Sequence, residues 1–303
     1  MILSPSEGLH IICNLLSTKQ LSVFAGSGIS VDSGLPAWDG FIDYYIKICQ
    51  ILSDCVDPPL KFDSIIADAK DNYKSKNLID TITALKEKIK ICQKSGIKTS
   101  FCNDKLNNLF YGVDCNEYHK AIVATAYNQI ITTNYDSLLE KAAEELGYYS
   151  LLPRSFNYTD HKDISAAIYT GNTSIIHAHG KITDIGLDQF VVTKQDYLNI
   201  MKHNVGFRYI MNTIFITNSV LFVGYGGSDP HFEDIIDDLN ITLNWSGENP
   251  NLPKCYIMMK KDKISPIREF LHGTNRVDII SFDDYSQMKD FLVQIQLKYP
   301  RAK

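Results

Sequence analysis

Residues 21–36 read LSVFAGSGISVDSGLP. The first five, Leu21 to Ala25, form an apolar run of the kind a strand buried on both faces requires. Gly26, Ser27 and Gly28 follow at once. Glycine tolerates tight turns and lets a second backbone or a ligand come close. A buried strand that ends in such a turn and leads into a helical segment leaves backbone N–H groups free to meet an anion. The spacing is not G-x-G-x-x-G, because Val31 stands where the third glycine would be, so an ordinary dehydrogenase fingerprint is not matched.

The same order of apolar run, polar turn and helix recurs outward from this point. NQIITTNYD (128–136) leads into SLLEKAAEELG (137–147), a helix closed by glycine. TSIIHAHGKI (173–182) reads as a strand that ends before Gly180, and SVLFVGYGGSDPHFEDII (219–236) as strand, glycine turn and helix. KCYIMMK (254–260) and VDIISF (277–282) are two further strands. DQFVVTKQDY (188–197) reads as a short strand followed by a helix that Thr193 caps. Helices are expected over Glu7–Ser17, with Ser4 as cap and Pro5 as first residue, over Trp38–Leu52 and over Tyr285–Tyr299. Lys61–Lys94 is polar, helical in period and free of glycine and proline, so it predicts one or two long helices.

Strands alternating with helices predict an α/β fold: a Rossmann-like, mostly parallel sheet with helices on both faces. The helical stretch from about Phe41 to Ala126 interrupts the alternation and reads as a helical insertion or subdomain. The expected layout is a single domain over 1–303, its Rossmann-like core at about 1–40 and 127–303, the insertion at about 41–126.

Composition narrows the function. The chain has 303 residues, 45% of them hydrophobic, enough for a sizeable packed core. A net charge of −5 does not favour a dedicated nucleic-acid binder. The seven cysteines include no C-x-x-C pair, so no zinc ribbon and no metal is expected. Their odd number and scatter fit reduced thiols in a cytoplasm. No run approaches the ~18 apolar residues of a membrane span, and MILSPSEGLH lacks a basic leader region, so a cytoplasmic chain without membrane association is expected.

Ligands of open parallel sheets bind beyond the carboxyl ends of the strands. Four such ends carry polar or glycine-rich sequence: Ala25–Gly28, Thr132–Asp136, His177–Gly180 and Gly224–Pro230. Each alone has a plain structural reading. Gly26 and Gly28 can simply make a turn, Asn134 and Asp136 an Asx turn or cap, and GYGGSDP a loop before a proline-started helix. His179 before Gly180 can be a satisfied core histidine, and His177 faces the opposite way if the strand continues that far, because side chains alternate, so only one of the two is expected to reach a given site.

Taken together, FAGSGISVDSGLP, TTNYD, HAHG and GYGGSDP resemble the sirtuin superfamily, and more closely its bacterial SIR2-like branch, which destroys NAD in antiphage defence. The resemblance covers roughly Leu21 to Phe232. It implies NAD+ as substrate, with Asn134, His179 and Asp136 as the catalytic group. It implies that Ala25, Gly26, Ser27, Gly28, Ser30 and Asp32 hold the pyrophosphate and nicotinamide side, with Thr133 beside Asn134. Gly224, Tyr225, Gly226, Gly227, Ser228 and Asp229 are implied at the adenine-side ribose.

The residue types suit the chemistry. Nicotinamide is a positively charged leaving group, and its departure builds oxocarbenium character on the ribose. A neutral amide such as Asn134 can orient a water below the anomeric carbon, and His179 can bond a ribose hydroxyl or accept a proton. Sirtuin deacetylases carry a zinc module with paired cysteines and an Asp-Phe-Arg after their first motif; this chain has neither, with Ala37-Trp38-Asp39 in place of the latter. Water rather than an acyl oxygen is therefore expected to take the ribosyl group, giving nicotinamide and ADP-ribose in an abortive-infection response. Cyclisation, ADP-ribosyl transfer, protein deacylation and a non-catalytic NAD or ADP-ribose sensor are the alternatives. No Lys or Arg directly follows GYGGSDP, which favours NAD over NADP. The resemblance also implies a homo-oligomer under the control of a sensor or activator: an ATPase or Argonaute-like partner, a phage trigger, or a further domain of a longer chain. Direct nucleic-acid binding is not expected.

Overall fold

The computed structural model describes residues 1–57, 62–74, 78–97, 100–181, 191–225, 252–264 and 276–302. Strand β1 (Ile2–Leu3) and helix α1 (Pro5–Ser17) precede β2 (Leu21–Ala25). Four helices follow: α2 (Trp38–Asp54), α3 (Asp63–Lys74), α4 (Leu78–Lys94) and α5 (Ser100–Phe110). Next come α6 (Glu117–Ala124), β3 (Ile130–Thr132), α7 (Leu138–Glu145), β4 (Ser155–Asn157), α8 (His161–Tyr169) and β5 (Ile175–His177). The last part holds α9 (Lys194–His203), α10 (Val205–Thr217), β6 (Ser219–Val223), β7 (Cys255–Lys260), β8 (Val277–Phe282) and α11 (Tyr285–Lys298).

The eight strands among the described residues make one sheet in the order β1-β8-β7-β6-β2-β3-β5-β4. Every neighbouring pair is parallel. The Rossmann-like α/β fold read from the sequence is thus the fold observed. Its helices reach both faces because strand side chains alternate. Leu21, Val23 and Ala25 of β2 face α1, α6, α7 and α11. Phe24, between them, turns to the other side, where α8, α9 and α10 supply Ile164, Ile200, Phe207, Ile210 and Ile214. There Phe24 stacks on Phe222 of β6 with ring centroids 5.1 Å apart.

Local signals account for most boundaries. Ser4 caps α1 through a capping box with Glu7, and Pro5 occupies the first turn, where its missing N–H costs nothing. The polar stretch after Lys61 forms the two helices α3 and α4. Thr193 caps α9 as expected. The strand expected over 188–197 is not observed in its described part. Val191 and Val192 are buried, each in a different apolar cluster, as a connector rather than a ladder. Two buried β-branched residues read as a strand by composition alone. Strands β1 and β4 are two and three residues long, too short to show a period.

Helices α2 to α5 pack around an apolar cluster of their own, running from Phe41 and Ile42 to Leu106. Tyr135, just beyond β3, and Val192 enter that cluster and join it to the sheet's carboxyl edge. Helix α6 packs instead against the sheet. Lys86 of α4 and Asp196 in the first turn of α9 form an ion pair at 2.7 Å, with side chains only 4% and 15% exposed. Among the described residues no helix is long and apolar enough to cross a membrane.

Candidate active site

Strand register brings the polar ends together. Ala25 pairs with Thr132 on one side and Val223 on the other, and Thr132 pairs with His177. The residues that follow these four positions therefore meet above one edge of the sheet.

The two glycine turns pack on each other. Gly26 N–H donates to Val223 O at 2.8 Å and Gly28 N–H to Gly224 O at 2.9 Å. A Cβ on Gly28 would lie 2.6 Å from that same oxygen, and Gly224 has φ +77° with its own Cβ position 2.7 Å from Ile29 N. Close backbone approach is thus the first reason for these glycines. The amides of Gly26 and Gly28 and the carbonyl of Gly224 serve the fold.

Two cavities flank this junction, and Ser27 lines both. The larger, about 300 Å³, is walled by Gly28, Asp32, Gly224 and Tyr225, with Lys260 and Lys263 from the end of β7. The smaller, about 50 Å³, is lined by Ser30, Thr133, Asn134, Asp136 and His179 beneath Trp38, Phe41 and Phe110 of the helical cluster. Of the site residues read from the sequence, Ser27, Gly28, Ser30, Asp32, Thr133, Asn134, Asp136, His179, Gly224 and Tyr225 fall on these walls. Ala25 and Gly26 lie just beneath, and Gly226, Gly227, Ser228 and Asp229 lie outside the described residues.

Asn134 is fixed from several sides. Its backbone N–H donates to Thr132 Oγ1 at 3.0 Å, and His177 Nδ1 lies 3.1 Å from its carbonyl oxygen. Its side-chain Nδ2 donates to Ser30 Oγ at 3.1 Å. Its Oδ1 is buried and has no hydrogen-bond partner among the described residues. Buried polar atoms are nearly always satisfied, so an orphan acceptor on a pocket wall marks a place where a ligand or water belongs. Ser30 Oγ donates to Asp136 Oδ2 at 2.9 Å, and Leu138 N–H donates to Asp136 Oδ1 at 3.1 Å. Burial raises the Asp136 carboxyl above its ordinary value, against these two bonds.

His177 and His179 diverge, as expected, but not through strand alternation, which puts residues two apart on the same face. The strand ends at His177, and Gly180 takes φ +89°. His179 lines the small cavity. His177 is turned to α7, where Nε2 lies 2.8 Å from Glu140 Oε1.

Sequence reasoning missed four groups. Glu140 carried a signal, sitting one helical turn after Asp136. His119 stands three residues after Asn116, the N3 position of a capping box. Lys260 and Lys263 follow β7 rather than GYGGSDP, so a search confined to that loop passes over them.

The parallel sheet, with paired glycine turns and the Asn134–His179 pocket at its carboxyl edge, defines a Rossmann-like α/β class. The chain belongs to the SIR2-like domain family, which it matches over residues 128–280. It is similar to an NAD(+) hydrolase ThsA of Enterococcus faecium, 23% identical over 301 residues, covering 92% of this chain and 56% of that protein. Defense-associated sirtuin 2 of Bacillus subtilis is 27% identical over 231 residues, 75% of this chain and 19% of its own length. A second ThsA hydrolase, from Cytobacillus dafuensis, is 20% identical over 235 residues, 77% of this chain and 41% of that protein. The chain therefore spans between about a fifth and just over half of the length of these relatives.

Proposed function

We propose that the chain hydrolyses NAD+ at the nicotinamide–ribose bond, giving nicotinamide and ADP-ribose. The observation that carries this reading is the unpartnered, buried Asn134 Oδ1 on the wall of a cavity that also holds His179. The NAD(+) hydrolase activity for which the ThsA relatives are named supports it. In this reading the larger cleft takes the ADP part, and the smaller cavity takes the nicotinamide ribose. Asn134 Oδ1 accepts a hydrogen bond from a water and holds it below the anomeric carbon, and His179 is the group that can take its proton. His179 bonds a ribose hydroxyl, and Asp136 backs the pair from beneath. The aromatic cover of Trp38, Phe41 and Phe110 excludes bulk water, so positioning supplies much of the rate.

The same reading assigns the chain to NAD depletion in antiphage defence, in the cytoplasm, in an oligomeric assembly with a sensor or activator. The name of the Bacillus subtilis relative supports the defence role. Chromatography of NAD+ incubations tests the reaction. Equal amounts of nicotinamide and linear ADP-ribose are expected, independent of any acyl-lysine peptide. Nicotinamide release only with that peptide, or a cyclic product, contradicts hydrolysis.

A further inference from the structure

We infer that Ser30, held between His119 and Asp136, sets which way round the Asn134 amide stands, so that its oxygen and not its nitrogen meets the attacking water. The inference deepens the NAD-hydrolase reading and rests on it for the identity of that water.

With the Ser30 hydroxyl donating to Asp136, the donors and acceptors leave one arrangement. Asn116 backbone N–H points at His119 Nδ1 from 3.1 Å, so Nδ1 accepts and carries no proton. Burial holds the His119 imidazole well below its ordinary value, at about 4, so the ring is neutral at neutral pH. Its single proton is then on Nε2, which lies 3.2 Å from Ser30 Oγ and donates to it. Ser30 has one proton to give, and it goes to the Asp136 carboxylate at 2.9 Å. The third neighbour of Ser30 Oγ, the Asn134 amide at 3.1 Å, must therefore donate. That assigns Nδ2 to the serine and turns Oδ1 away from the network, where it has no partner.

The orientation matters for chemistry. An outward oxygen accepts a hydrogen bond from water and leaves a water lone pair free for the anomeric carbon. A flipped amide would present two N–H donors and hold the water by that lone pair. His119 reaches this position through the fold of α6. Asn116 caps the helix, and its Nδ2 donates to Ile29 O at 2.8 Å and Ser33 Oγ at 2.9 Å. The start of α6 is thereby tied to the same turn that carries Ser30. His119 and Ser30 are positioning residues, acting through Asn134.

Two readouts test this. Nitrogen-15 shifts of the His119 ring, recorded on the unliganded protein near neutral pH, are expected to show the Nε2–H tautomer. An Nδ1–H tautomer overturns the inference whatever the enzyme turns out to do. In steady-state assays Ser30→Ala and His119→Leu are expected to lower kcat by ~10- to 100-fold, with KM for NAD+ changed by less than about threefold. His119→Gln keeps an N–H donor near the place of Nε2 and is expected to recover most of the rate. Equal losses in the Gln and Leu variants at equal thermal stability, or a change confined to KM, overturn it. Should the wild type release no nicotinamide, the hydrolase reading fails by itself, and the tautomer still decides the orientation.

Discussion

The His177 imidazole and the Glu140 carboxylate meet at 2.8 Å in a setting where the histidine side chain is 0% and the glutamate 13% exposed. Both neighbours of this histidine are acceptors: Glu140 Oε1 on Nε2, and the Asn134 carbonyl on Nδ1. The ring must carry both protons to satisfy them. Burial opposes that charge, but Glu140 outweighs it and raises His177 above its ordinary value. Burial likewise opposes ionised Glu140. Attraction to His177, with bonds from His177 and Ser155, outweighs it and holds the carboxyl at about 2. The pair thus pins the backbone of the proposed catalytic asparagine.

Its stabilisation depends on pH in a defined direction. The Glu140 contribution is complete above its ordinary value of 4.5 and is lost as pH falls toward 2. The His177 contribution is complete below 6.5 and is lost as pH rises through the raised folded-state value. Glu140→Gln is expected to cost ~3–5 kcal/mol, since it leaves a buried charge unpaired. The gap to wild type in urea midpoints is expected to be widest between about pH 4.5 and 6.5 and to shrink on the alkaline side. A gap that stays constant into the alkaline range means that His177 is neutral.

The glycine junction gives a second expectation. Gly28→Ala sets a methyl 2.6 Å from Gly224 O, and Gly224→Ala adds a positive φ of +77° to a 2.7 Å contact with Ile29 N. Each is expected to lower stability by ~1–3 kcal/mol and to weaken NAD+ binding, because the turns must separate. Gly34→Ala is the control: φ is +88° but nothing lies within 4 Å, so a smaller cost of ~1 kcal/mol is expected, without effect on binding. Thermal unfolding with titration calorimetry checks all three. Equal effects at Gly28 and Gly34 would remove the packing argument.

The ion pair between Lys86 and Asp196 links the helical cluster to the sheet. A double-mutant cycle with Lys86→Met and Asp196→Asn is expected to give a coupling of ~1–3 kcal/mol in urea unfolding. A coupling near zero would mean that apolar contacts through Tyr135 and Val192 alone hold the cluster in place.

The fold was legible wherever an apolar run of five or six residues ended in a polar turn, as at Ala25, Val223 and Phe282. Burial on both faces demands such runs, and parallel strands must end in loops. That Asn134, Asp136 and His179 lie together on a cavity wall was legible for the same reason, since each follows within four residues of its strand's carboxyl end. The roles of His119, Glu140 and Ser155 were not, because the bonds that place them reach partners 15 to 89 residues away in sequence. Short strands such as β4 gain their identity from register with β5 rather than from any period of their own. The reading of Val191 and Val192 as strand failed because burial between helices selects the same residue types.

The most direct test of the account is Asn134→Ala, measured for nicotinamide release, NAD+ affinity and thermal unfolding together. Turnover is expected to fall ~100-fold or more, with affinity within about threefold of wild type. Stability is expected within about 1 kcal/mol, because one lost hydrogen bond is offset by removal of an unpaired buried oxygen. An Asn134→Ala protein that folds, binds NAD+ and still releases nicotinamide near the wild-type rate would contradict the assignment of Oδ1 as the acceptor for the attacking water.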